Sequence, residues 1–527
     1  MLKEKLYDVI VVGAGFAGPI AAAKIAAEGV NPSTGEPLKV ALIEGGPYYK
    51  GKPKWGYGHP LRRRMFTHIP QDMKQGGRNE RLLGGWTFHG IGGGSLKWGA
   101  KGFPPGDVDY QVWARETGVD WTQEDAQEAV DELQRLWNSH TIPDDMLTEY
   151  HFKFKEAAES MGYQTEKMLV HKKNCIMCGT HYEDQPQCRY DAKMSTLLSH
   201  IPAAEEHGVD ILPDRKVERL ILEKKGARWT ATGVWYMSEG TPSRKIEGKK
   251  IILAGGQKNP LLLYNSGYGP RDLLGDKLVV ENPNVGSHID GHLRSVMEPV
   301  TARFKDMIVH EPGDGNFGFW FVDDKDNMGS ERLFILSGAE THGSNYGGAH
   351  SYALSPWAPE FGRRHKDWMR KNWKEWRHIV GTPFIFGPLV TYSHWSGPKA
   401  RVFPDGHVEY KHNEEPSIKK RIKECRDLIW SLLEKMGAAE IKDMPKGHWP
   451  EPEGFMHTVG SCRAGADRKN SVVNSDFECH DIDNLFVVDS TAHPRVTSLW
   501  SGGAAVSAMG TYAAQRIIRN HFTRSSV

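Results

Sequence analysis

Tyr7 to Val12 (YDVIVV) is a β-branched, apolar run that reads as a buried parallel strand. Gly13-Ala14-Gly15-Phe16-Ala17-Gly18 follows without a spacer. An Ala-rich helix from about Pro19 to Glu28 comes next, then a second strand, Lys39 to Ile43, closing on Glu44. This order of strand, glycine turn, helix, strand and acid constrains the chain more than any other feature. The first glycine makes the tight turn, the second lets backbone approach a pyrophosphate, and the third lets helix pack on strand. The helix N-terminus then faces the phosphates. Gly13, Gly15, Gly18 and Glu44 are therefore candidate dinucleotide ligands, with Glu44 placed to accept hydrogen bonds from ribose hydroxyls. Glu44 lies farther beyond Gly18 than the usual ~20 residues. The polar stretch Asn31 to Pro37 reads as the insertion that accounts for the excess. The unit alone does not separate nicotinamide from flavin.

Glycine is abundant, 57 of 527 residues, and a second cluster needs a reason. Leu82-Leu-Gly-Gly-Trp86 precedes Gly90-Ile-Gly-Gly-Gly-Ser95-Leu-Lys97-Trp98-Gly. Backbone crowding a phosphate or a flat ring would supply the reason; a flexible surface loop is the plainer reading. Trp86, Phe88 and Trp98 flank the run, which a solvated linker would seldom carry. Further motifs follow in order. Strand Lys249 to Leu253 enters Ala254-Gly255-Gly256-Gln257-Lys258-Asn259-Pro260. Asn282-Pro283-Asn284-Val285-Gly286 leads to Asp290-Gly291-His292. His457-Thr-Val-Gly460-Ser-Cys-Arg463-Ala-Gly465 is succeeded by Asn484-Leu-Phe-Val-Val-Asp489-Ser490 and Pro494.

Taken in this order, the motifs resemble the glucose-methanol-choline (GMC) oxidoreductases, which are FAD enzymes. The resemblance is strongest at 7–46, 90–99, 250–292 and 455–515. It implies an α/β fold: a discontinuous Rossmann-like FAD-binding domain (1–110, 170–295, 455–527) and an α+β, mixed-sheet substrate-binding domain (296–454). A lid or connection (111–169) would join them. It implies that Gly13, Gly15, Gly18 and Glu44 hold the ADP half of FAD. Gly93, Gly94 and Ser95 would fall beside the flavin, with Ala254, Gly255 and the Asp489 segment completing the cofactor site. Some relatives carry a histidine in the second loop that bonds to the flavin; Lys97 stands at the best-matching position, so non-covalent FAD is expected.

His457 falls on the family's catalytic histidine. Alcohol oxidation in that family removes a hydroxyl proton and passes a hydride from the same carbon to the flavin. An imidazole with an ordinary pKa of about 6.5 suits the first task. The usual second residue, His or Asn, would fall at Trp500. Here the chain departs from the family, and Ser501, His493 or an Asn from elsewhere is left to meet the substrate oxygen, with Trp500 as a flat wall. The SLKWG and cysteine regions look closest to gluconate-dehydrogenase and pyranose-oxidase relatives. Together with 17 tryptophans they favour a sugar, polyol, sugar acid or glycoside as substrate. Aromatic or other hydrophobic alcohols are the alternative, and a catalytically silent flavoprotein that binds a partner is a third. Oxygen, quinone and a cytochrome subunit remain open as electron acceptors.

Lys+Arg 67 against Asp+Glu 66 leaves a net charge of +1, which argues against nucleic acid as a partner. No apolar window of about 18 residues is present, so no transmembrane segment is expected. Six cysteines and no visible secretory signal suggest a reducing, cytoplasmic location, with export on a signal-bearing partner subunit as the alternative. Cys175, Cys178 and Cys188 have the look of a metal knuckle, but they offer three thiols and no evident fourth ligand, so no metal is assigned. The basic, Trp-rich segment Phe361 to Arg377 reads as an amphipathic helix of the substrate domain, with a membrane or redox-partner surface as the alternative.

Overall fold

The first strand, β1 (Tyr7–Val12), is buried at every position, which its β-branched, apolar sequence allows. The computed structural model describes residues 6–48, 90–96, 98–175, 190–293, 300–307, 318–323, 333–337, 379–380, 400–406, 408–410, 416–443, 455–499 and 502–523. Helix α1 (Ala17–Glu28) follows β1 and is buried over most of its length. Its alanines permit close approach: a Cβ on Gly510 of the C-terminal helix would lie 3.0 Å from the Ala17 Cβ. Strand β2 (Val40–Ile43) returns beside β1 in parallel.

Helices α2 (Asp107–Thr117) and α3 (Gln123–Leu136) come next. Gly118 ends α2 in the left-handed region, and Thr122 caps α3 by accepting from the Asp125 N–H. Trp113 and Trp121 are buried in the same core as β1 and β2. Lys24, buried on α1, reaches Glu132 on α3 at 2.6 Å. Residues within 107–136, expected at a domain edge and in a lid or connection, therefore share the core of β1 and β2. Helix α4 (Glu149–Ser160) instead joins a separate core.

Strands β3 (Asp210–Leu212), β4 (Lys216–Lys225), β5 (Arg228–Met237) and β6 (Arg244–Leu253) complete most of the main sheet. Helix α5 (Asn259–Asn265) follows β6. Beyond it, β7 (Asp290–Leu293), β8 (Val300–Arg303) and β9 (Phe319–Asp323) lead to helix α6 (Pro416–Lys435). Strands β10 (Phe455–Val459), β11 (Ile482–Asp483) and β12 (Leu485–Val487) precede helix α7 (Gly502–His521). The main sheet has eight strands in the order β11-β5-β6-β1-β2-β3, with β12 against β6 and β4 against β5. Strands β3, β2, β1, β6 and β12 run parallel, whereas β4, β5 and β6 form an antiparallel meander. The parallel strands end together, placing Gly13, Glu44, Ala254 and Asp489 at one edge, the crevice where open α/β sheets bind ligands. The second core gathers Tyr150, Phe154, Val300, Phe304, Phe321, Ile429 and Leu432 from α4, β8, β9 and α6. Among the described residues no helix is long and apolar enough to cross a membrane.

Burial pushes the imidazoles of His171, His200 and His493 down to about 4, 3 and 3. Their folded values lie below the unfolded ~6.5, so the unfolded chain takes up more protons as pH falls. Their contribution is whole above about pH 6.5 and is lost below it. Each is expected to withdraw about 2 kcal/mol at pH 5. Urea unfolding midpoints at neutral pH and near pH 5 check this; equal midpoints would contradict it.

Candidate functional site

Gly13 turns at φ +103, and its N–H donates to the Ile43 carbonyl at 2.8 Å. A Cβ there would lie 2.5 Å from the Ala254 oxygen, and one on Gly18 would lie 1.8 Å from the Gly13 oxygen. These two glycines are demanded by backbone packing. Gly15 differs: among the described residues, its chain neighbours aside, no atom lies within 4 Å of where its Cβ would stand. That open space is what a pyrophosphate approaching the loop requires.

The second glycine loop lies on the first. The Gly92 N–H donates to the Ala14 oxygen at 2.8 Å, and a Cβ on Gly93 would lie 2.7 Å from the Gly15 Cα. Gly94 sits against the Phe16 ring. Ser95 is fully buried, and its hydroxyl donates to the Gly92 carbonyl at 2.6 Å and accepts from the Thr196 N–H at 3.1 Å. The Thr196 hydroxyl donates to the Gly15 carbonyl at 2.8 Å. Thr196 thus fastens the two loops, a role the sequence reading did not assign to it. Trp98 is fixed by its Nε1–H to the Met194 carbonyl at 2.9 Å and packs against Phe16, Trp137 and His171.

Glu44 holds both loops as well. Its Oε2 accepts from the Ala14 N–H at 3.0 Å, and Oε1 accepts from Gly46 at 2.8 Å and Gly90 at 3.2 Å. A carboxylate has about four acceptor positions, so room remains for a ribose hydroxyl. Lys258, near Glu44, is pushed down to about 8 by burial, against the pull of that carboxylate.

At the end of β6, the Gly255 N–H donates to Asn259 Oδ1 at 3.0 Å and the Gly256 N–H to Asp489 Oδ2 at 2.6 Å. Asn259 Nδ2 donates to the same Asp489 Oδ2 at 2.9 Å, while Asp489 Oδ1 accepts from the Thr491 N–H and hydroxyl at 2.9 and 2.6 Å. Burial raises the Asp489 pKa and these donors oppose it. Asp489 is thereby the tie between the AGG turn and the chain returning from β12. Its carboxylate is occupied by protein donors.

His457 stands on β10, half-buried, with φ +52. The β7–β10 ladder is irregular beside it: Asp290 pairs with Val459 and His292 with Met456. A Cβ on Gly502, at the start of α7, would lie 2.7 Å from His457 Nε2. A Cβ on Gly503 would meet Phe16 at 2.5 Å and Trp98 at 2.7 Å. Helix α7 therefore approaches the imidazole and the aromatic pair at distances only glycine permits. Gly502→Ala is expected to displace the His457 ring and lower turnover about 10- to 100-fold, with bound flavin retained. Steady-state rates beside the flavin absorbance check it.

The loop after Asp489 is pinned by α2. Arg495 is ion-paired with Glu116 and lies 3.6 Å from Asp290 Oδ2, and Trp113 Nε1 donates to the Arg495 carbonyl at 3.1 Å. His493 is buried against Trp113, with Nε2 unpartnered among the described residues. Trp500, Ser501, Lys97, Trp86, Cys178, Cys188 and the segment Phe361 to Arg377 lie outside the described residues. Cys175, Cys425, Cys462 and Cys479 are free thiols, the last three buried. Among the described residues no group of three or more His, Cys, Asp or Glu side chains could hold a metal ion.

These features fit FAD. Both loops close on open space at Gly15, and Glu44 retains acceptor capacity. Comparison with known proteins agrees. The family models described as GMC oxidoreductase match residues 7–293 and 390–501. The 2-methyl-1,2-propanediol dehydrogenase of Mycolicibacterium austroafricanum is 28% identical over 325 residues, 58% of this chain and 53% of that protein. The long-chain-alcohol oxidase FAO3 of Arabidopsis thaliana is 26% identical over 542 aligned positions, 93% of this chain and 65% of that protein. The matched chain spans about half the length of the first of these and of the oxygen-dependent choline dehydrogenases it also resembles. Pyridoxine 4-oxidase from Mesorbium loti superposes with a TM-score of 0.65 at 17% identity, covering 98% of this chain and 100% of that one. With the glycine loops, the carboxylate and the histidine gathered at one sheet edge and both family models matched, the chain belongs to the GMC oxidoreductases, whose cofactor is FAD.

Proposed function

We propose that the protein oxidises a CH–OH group, with His457 as the base. The observation that carries this reading is the His457 imidazole, half-buried at the sheet edge where the glycine loops converge and approached at Nε2 by Gly502. Bound FAD supplies the hydride acceptor. Gly13, Gly15, Gly18 and Glu44 hold its ADP half, and Gly93, Gly94, Ala254, Gly255 and the Asp489 segment shape the rest of the cradle. Ser95 and Asp489 act through the backbone they fasten. His457 Nε2 takes the hydroxyl proton, so that the carbinol carbon can give up its hydride. The closely packed Phe16, Trp98 and Gly503 exclude water from one side of that position. In this reading Ser501 is a candidate to bond the substrate oxygen and Trp500 to serve as a flat wall for the substrate.

The substrate class supported by the sequence is a sugar, polyol, sugar acid or glycoside. A second reading, aromatic or other hydrophobic alcohols, is favoured by the names of the relatives, which include a long-chain-alcohol oxidase and a pyridoxine oxidase. Anaerobic flavin bleaching across sugars, glycosides, aryl alcohols and long-chain alcohols separates them. Bleaching by aryl or aliphatic alcohols with none by any sugar would overturn the first. Re-oxidation by oxygen against quinone then names the acceptor class. Retention of His457 weighs against a silent flavoprotein, and bleaching by no alcohol at all would restore that reading.

A further inference from the structure

We infer that Gln257 is a positioning residue for His457, holding the Thr458–Val459 peptide, one residue beyond the imidazole, from the carboxyl end of β6; the inference rests on His457 being the base. Gln257 Nε2 donates to the Thr458 carbonyl oxygen at 2.8 Å. A carbonyl only accepts, so the amide must present its nitrogen there. The consequence is that Gln257 Oε1 is buried with no partner among the described residues. A buried acceptor left without a partner is costly. The side chain keeps the Thr458 bond in spite of that penalty.

The base from which Gln257 reaches is rigid. It sits in a single turn, Gly256–Lys258. The residue before it is bonded through its N–H to Asp489, and Asn259, close behind, is bonded to Asp489 and Thr491. The peptide that it holds adjoins a strained residue. His457 carries φ +52, a left-handed conformation that non-glycine residues seldom adopt. The regular ladder does not secure this point, because the β7–β10 register shifts between Asp290 and His292. A strained residue in an irregular stretch keeps its geometry through the chain beside it, and a shift there would swing the imidazole away from Gly502. Gln257 supplies a hold at the next carbonyl, and it joins His457 to the turn that shapes the cofactor cradle.

The test uses the flavin-loaded enzyme and the best substrate from the anaerobic panel. Gln257→Leu removes the donor, and Gln257→Glu keeps the shape and an acceptor oxygen but faces Thr458 with no donor. Both are expected to lower kcat about 10- to 100-fold, since a displacement near 1 Å can cost ~100-fold. KM is expected within about threefold of wild type, with flavin content and Tm unchanged and a larger isotope effect for substrate deuterated at the carbinol carbon. Wild-type kcat in either variant overturns the inference. So does a loss of kcat that merely tracks lost flavin or a lowered Tm, which would mark a structural role. His457→Ala is run alongside. Slow reduction in that variant with fast turnover in Gln257→Leu removes Gln257 alone, whereas unimpaired reduction in His457→Ala removes the base and this inference together.

Discussion

His457→Ala is expected to slow anaerobic reduction of the bound flavin by substrate about 10²- to 10⁴-fold, the usual worth of a positioned general base. The effect should fall on the chemical step. The glycine loops are fastened by Glu44, Thr196 and Asp489. Flavin content and unfolding midpoint are therefore expected to remain at wild-type values. Stopped-flow bleaching at saturating substrate is the direct measurement. A variant reduced at the wild-type rate would take the proton transfer away from this residue, and with it the assignment of the HTVGSCRAG segment as catalytic.

The second large effect is expected at Gly18, and it differs in kind from its neighbour Gly15. Gly18→Ala forces a Cβ to 1.8 Å from a backbone oxygen, so helix α1 must move away from the β1 turn. Overpacking of this sort costs about 3 kcal/mol, and the displaced helix also loses its aim at the phosphates. The purified variant should have a lower urea midpoint and little flavin absorbance. Gly15→Ala meets no atom within 4 Å among the described residues, its chain neighbours aside. It should keep the wild-type midpoint yet hold flavin poorly, because the methyl enters space reserved for the pyrophosphate. A fully flavin-loaded Gly15→Ala protein would show that the cofactor does not pass there.

Much of the nucleotide unit was legible from local rules. Period and β-branching marked β1, the glycine spacing marked the turn, and the Ala-rich run marked α1, since each is decided within a few residues. Glu44 was legible as a carboxylate at the right strand end. Its bonds to Ala14, Gly46 and Gly90 were not, because the second glycine loop reaches it from far along the chain. Thr196 and Gln257 escaped notice for a related reason. A threonine or glutamine carries no local signature of the carbonyl it will meet, and Gly15 and Thr458 are distant in sequence. Gly502 carries no local signal of its role, and only its distance to the His457 ring reveals a steric demand.

The sequence by itself determined the class of ligand, through the strand, glycine turn and acid, and it singled out His457 among 24 histidines by the motif around it. Tertiary structure decided how the parts work together. It brought the parallel strand ends to one edge and turned Ser95 and Asp489 into fasteners of backbone. It set His457 in a left-handed conformation and placed Gly502 and Gln257 against its neighbourhood. The physical reason is range. Turn chemistry and hydrophobic period act over a few residues, whereas which buried donor meets which acceptor is settled only when distant segments close on one another and every buried polar group must find a partner.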